Sequence, residues 1–403
     1  MAGRGRVPGS GGTALRLLLV PLLLSLLVSL VSCTGRPASD AVRAEAQRLL
    51  DRRAAAVLAQ DESAYRRTGT TAGFADLRAV PLADWSYRVT EVRRAGDTAT
   101  ADVELRYRFE GHDRAPVTAG RTMVLGRTPD DRWTVVSDRP DRESAQQLWD
   151  QGAVTVVRGE RSLVLGVGQS RRSLQRFADL GDRAVPAVSR VWGTGWSRRV
   201  VLLVPRSLEG MAGLLGSPAS SYRGIAAVTT GETGAVRAPA DRIIVNPDAY
   251  GVLGPVGRQV VLTHEATHVA TRAHTNAATP LWLSEGYADW VGYRESGRTP
   301  AQAAPELAHA VASGDVPEHL PTDADFGFTG AATSLARAYE GGWTACRMIE
   351  DRWGAERLAE FYRAVGAHQR RGGAVEGAMR DVLGTTPEEF TASWREHLRR
   401  EFG

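Results

Sequence analysis

The sequence predicts an α+β protein in two folded parts behind an apolar leader, and three observations carry that prediction. Apolar and polar residues alternate in runs at 85–92, 98–109, 117–125 and 133–136, the period of strands with one buried face. Shorter apolar strands at 154–157, 162–165, 199–204, 225–228 and 242–245 follow, with a helical pattern over 171–191 between the second and third. From 256 through 398 nearly the whole chain keeps the helical period, broken at Pro280, at 317–330 and at Gly372 and Gly373. At 403 residues, 43% hydrophobic and 24% charged, the composition is that of an ordinary folded protein with room for two domains.

Taken in order, residues 1–33 read as a targeting signal: Arg4 and Arg6, an apolar stretch over 17–30, then Leu30-Val31-Ser32-Cys33. A small residue before cysteine at this place resembles the bacterial lipobox, in which Cys33 is lipidated and becomes the mature N-terminus. A plain membrane-spanning anchor is the competing reading of the same stretch. Either one places the protein at the extracytoplasmic face of a bacterial cell membrane. With Cys33 carrying lipid, Cys346 has no intramolecular partner, so no disulfide is expected.

A polar tether at 34–39 leads to an amphipathic helix over 40–67, with Val42, Leu49, Leu50, Ala54 and Leu58 at helical intervals. The four alternating runs then form an antiparallel meander on that helix, with turns at Gly96-Asp97 and Pro129-Asp130-Asp131. This part, 34–143, resembles the NTF2-like or cystatin-like cone in pattern. That resemblance implies a spacer ahead of a working domain, or else a ligand pocket. Basic and acidic residues number 50 and 46, every basic one an arginine, and they are interleaved with no basic block. Nucleic acid is therefore not an expected partner.

The second part, 144–403, carries the chemistry. In His264-Glu265-Ala266-Thr267-His268 the two imidazoles stand four residues apart, on one face of a helix that Val260, Val261, Leu262, Val269 and Ala270 make mostly apolar. The next helix opens after Pro280 and turns Glu285 inward. Zinc that does chemistry takes three protein ligands and keeps a fourth position free. His264, His268 and Glu285 supply that set, and the expected cofactor is Zn2+. Glu265, one step round the helix, is placed to take a proton from a water attacking an amide carbonyl and pass it to the leaving amine.

With those residues in view, the chain resembles the zincin metallopeptidases, and among them the gluzincins. The runs Thr263-His264-Glu265-Ala266-Thr267-His268-Val269-Ala270 and Trp282-Leu283-Ser284-Glu285-Gly286 look most like the peptidase-MA-like bacterial lipoproteins. The resemblance covers 223–368 and implies a zinc peptidase cleft between a sheet and a helical half, acting on a polypeptide substrate. It further implies that Asp289 holds the second nitrogen of a histidine ligand and that Tyr339 donates to the oxyanion. Tyr287, Tyr293, His309 and His319 compete for that last role. His274 is the rival third ligand, six residues after His268 as in metzincins, but Thr271 stands where that motif needs glycine. Two other readings compete with an endopeptidase. One is a binding or scaffold lipoprotein that keeps the fold without turnover; the other is an aminopeptidase, for which no Gly-x-Met-x-Asn segment precedes the histidines. The oligomeric state is not legible.

Overall fold

The computed structural model describes residues 36–231, 239–327 and 332–403, so the leader and Cys33 lie outside the described residues. The chain is α+β, with one antiparallel sheet and one mixed sheet. Among the described residues, the seven helices of twelve residues or more are α1 (Arg36–Leu58), α2 (Arg171–Trp192), α3 (Pro255–Thr271), α4 (Leu281–Tyr293), α5 (Ala332–Trp353), α6 (Ala355–Gly366) and α7 (Pro387–Phe402).

The first sheet is β1 (Leu82–Ala95), β2 (Thr98–Phe109), β3 (Val117–Arg127) and β4 (Trp133–Pro140), in that spatial order. On β2 the inward set is Ala99, Ala101, Val103, Leu105, Tyr107 and Phe109, every second residue, and it meets α1 through Val42, Ala46, Leu49 and Leu50. The long helix expected over 40–67 is two. Helix α1 begins at Arg36, inside the expected tether, and stops at Leu58; Gln60 turns left-handed (φ 55°), and Asp61 caps a new helix, Glu62–Arg66, by accepting the Ala64 N–H at 2.8 Å. A short helix, Phe74–Leu77, was not legible beforehand.

The second sheet comprises β5 (Val154–Arg158), β6 (Ser162–Val167), β7 (Val200–Val204), β8 (Ala227–Thr230) and β9 (Arg242–Val245). Its spatial order is β5-β6-β7-β9-β8. Strands β6, β7 and β9 run parallel, while β5 and β8 are antiparallel edges. Helix α2 makes the crossover from β6 to β7; its N-cap Ser170 accepts the Ser173 N–H. The parallel strands read as unbroken apolar runs because both faces are covered. One face, with Val164, Leu202, Val204, Ile243 and Val245, packs on α2 and α3. The other, with Leu163, Leu165, Val201, Leu203 and Ile244, joins the core of the first sheet in one continuous cluster.

An ion pair reinforces that junction. Asp113, just past β2, has a side chain wholly withdrawn from solvent; it meets Arg242 of β9 at 2.8 and 2.9 Å and accepts the Phe109 and Ala240 N–H groups at 2.6 and 2.8 Å. The Arg242 guanidinium lies 4.5 Å over the Phe109 ring. Below the sheet, α4 and α5 touch backbone to backbone at Gly286 and Gly342. A Cβ on Gly286 would fall 2.3 Å from the Gly342 carbonyl.

Candidate metal centre

Helix α3 starts with Gly254 at its N-cap and Pro255 in its first turn, where a missing N–H costs nothing. Leu262, Ala266 and Ala270 bury one stripe of it in the helical core. His264 and His268 share another stripe, facing α4. At the far end Arg272 ties α3 to the sheet through Asp241, at 2.8 Å.

Three donor atoms converge between the two helices. His264 Nε2 lies 3.0 Å from His268 Nε2 and 3.3 Å from Glu285 Oε2, and His268 Nε2 lies 3.4 Å from the same oxygen. Atoms bound tetrahedrally to zinc at the usual bond lengths stand about 3.3 Å apart, so the triangle has the size that ion needs. Among the described residues, His264, His268 and Glu285 are the group of three able to hold a metal ion. Asp289, one turn beyond Glu285, accepts from His264 Nδ1 at 2.7 Å. That bond holds a proton on Nδ1 and turns Nε2 toward the centre.

The electrostatics point the same way. Burial opposes a proton on His264, but the Asp289 and Glu285 carboxylates outweigh it and lift its pKa well above the usual imidazole value. Burial alone would raise Glu285, yet the His268 and His264 imidazoles hold it far below the ordinary carboxylate range. Both shifts express one preference, for a charged imidazole at His264 beside ionised carboxylates.

A cleft of about 650 Å³ opens beside the centre, its lining including Ile225, Val261, His264, Glu265, Tyr339 and Trp343. Glu265 is 6% exposed, and its Oε2 accepts the Thr229 hydroxyl of β8 at 2.5 Å. Edge strand β8 thus runs along the cleft, whereas β9 is interior. The strand expected at 225–228 sits two residues later. Tyr339 packs edge-on against Phe326, ring centroids 5.1 Å apart. Burial and the Glu285, Asp289 and Glu265 carboxylates raise its hydroxyl pKa strongly, so it stays a donor. Tyr293 also lines the cleft, with its ring against Trp343.

The other rivals lie elsewhere. Tyr287 is buried among Trp192, Trp290 and Tyr362; His319 is exposed and bonded to the Leu320 carbonyl; His309 is on the Pro305–Ala312 helix and outside the cleft lining. Although Thr271 replaces the glycine that would turn the chain, helix α3 does not continue through His274. It tightens into a 3₁₀ turn over Arg272–His274, and the His274 ring stands against Trp192. Cys346 is buried and free.

Two polar partners were not foreseen. Thr229 is one. The other is Glu340, which accepts the Leu307 and Glu306 N–H groups at 2.6 and 3.3 Å and so caps the Pro305–Ala312 helix beside the cleft. A scan against protein-family models and a search of curated proteins both return no match.

Proposed function

We propose that this chain is a zinc-dependent metallopeptidase of gluzincin type, cutting a polypeptide substrate by endoproteolysis. The observation that carries the reading is the triangle of His264, His268 and Glu285 donor atoms, sized for zinc and opening on a cleft that also holds Glu265. Bound zinc would supply a Lewis acid that polarises the scissile carbonyl and acidifies a water.

The chain's own groups do the rest. Glu265 takes the proton as water attacks the carbonyl carbon, then delivers it to the amine nitrogen as the C–N bond breaks. The Thr229 hydroxyl fixes the rotamer of that carboxylate. Asp289 keeps His264 in the ligating tautomer. Tyr339, held as a neutral phenol, donates its O–H to the oxygen that gains charge. The cleft's apolar walls, Ile225, Val261 and Trp343, give a substrate side chain somewhere to dock. In the same proposal, Cys33 carries a lipid that tethers the enzyme to the outer face of the cell membrane.

The test compares purified protein with its Glu265→Gln variant for zinc content and for chelator-sensitive cleavage of a mixed peptide library. Stoichiometric zinc in both, with turnover lost about a thousandfold in the variant, is expected. Zinc in both with equal inactivity would replace the peptidase by a binding module.

A further inference from the structure

The first module holds a cavity of its own, about 330 Å³, at the small end of the range that takes small molecules. Its walls are aromatic: Tyr65, Trp85, Tyr87 and Trp149, with the Trp85 and Trp149 rings 5.4 Å apart and tilted by 56°. Its floor is charged. Arg121, on the inner face of β3 and 5% exposed, meets Asp138 at 2.8 Å and both oxygens of Asp150 at 2.9 Å. Apolar residues of like volume would hold a sheet at least as firmly as a buried triad of this kind, so packing alone does not account for it.

The cavity also holds unspent hydrogen-bonding capacity. Trp85 is 3% exposed, and its indole N–H makes no well-formed hydrogen bond among the described residues, only a loose contact with the Tyr87 hydroxyl. Asp138 spends one oxygen on Arg121; no bond to the other is found among the described residues.

These features constrain an occupant. It must accept from an indole N–H, which an ammonium group cannot do. It cannot be an anion, because two carboxylates, Asp138 and Asp150, face the same space and outnumber the single guanidinium of Arg121. It needs a flat apolar face for the rings and groups that both donate and accept. We propose that this cavity binds a neutral sugar ring. Its C–H face stacks on the aromatic walls, one hydroxyl accepts from Trp85, and another donates to Asp138. The site is separate from the metal centre and does not depend on the peptidase reading.

Titration calorimetry of the full chain with glucose and with N-acetylglucosamine tests it. Saturable binding of at least one is expected, unchanged in Glu265→Gln. Trp85→Phe keeps an aromatic face, though a smaller one, and loses the N–H, so it should weaken binding about tenfold or more, the worth of at least one hydrogen bond. Asp138→Asn should weaken it by at least as much. If Trp85→Phe unfolds, as thermal melting would show, Asp138→Asn carries the test. Three outcomes overturn the proposal: no heat with either sugar up to about 10 mM, undiminished affinity in the folded variants, or preference for choline over both sugars.

Discussion

Asp289 and Glu340 show how much a single carboxylate does here. Asp289 touches the centre only through His264 Nδ1. Asp289→Asn should therefore lower zinc affinity about 10- to 100-fold without unfolding the protein, measured by competition with a chromogenic chelator. The ligand assignment has its own check: Glu285→Ala should lose the metal and His274→Ala should keep it. Burial pushes Glu340 up to about 7 from an ordinary 4.5, against the pull of the Leu307 and Glu306 N–H groups. The folded chain then binds that proton more tightly than the unfolded one. Stability from this group is full below about pH 4.5, falls as pH rises to about 7, and is level above. Glu340→Gln removes that slope, up to about 3 kcal/mol. Melting temperatures of parent and variant should diverge across this window; curves that stay parallel would contradict the assignment. That His264 and His268 would face one way, with Glu265 beside them, was legible because a helix converts four-residue spacing into one face. Thr229 and Glu340 were not, because their partners lie 36 and 33 residues away in sequence and no local pattern announces them.

Between elements, the decisive contact is the crossing of α4 and α5. Gly286 follows Glu285 directly, and no methyl group fits between it and Gly342. Gly286→Ala should cost about 2 kcal/mol or more and loosen zinc with it, because α4 must retreat and carry Glu285 away. Gly377→Ala is the control, since a Cβ there meets nothing within 4 Å. Differential scanning calorimetry with a zinc assay separates the two. The same scale shows what periodicity could foresee. Strand Thr98–Phe109 and strand Arg242–Val245 fall where their patterns end. Helix α1 breaks inside a run of good helix formers, and only the capping Asp61 marks the place. Strand β8 has four residues, too few for alternation to set its register before its pairing with β9 does.

At the scale of the molecule, the sequence pattern suggested a spacer followed by a working domain, but the two sheets share one apolar cluster and the Asp113–Arg242 pair. That seam was illegible because its members are separated by 129 residues. One cooperative melting transition is expected for the whole chain, not two. Asp113→Ala strands a buried guanidinium and should destabilise that single transition by about 3 kcal/mol. The damage should reach the cleft as well, because Arg242 is paired in register with Thr230, next to the residue that steadies Glu265. In the connector between β4 and β5, Arg142 stands exposed, ahead of Trp149 and Asp150, which stay packed in the first module's cavity. A protease that clips after Arg142 would sever the polypeptide and leave the particle whole: two bands on a denaturing gel, one peak on a sizing column.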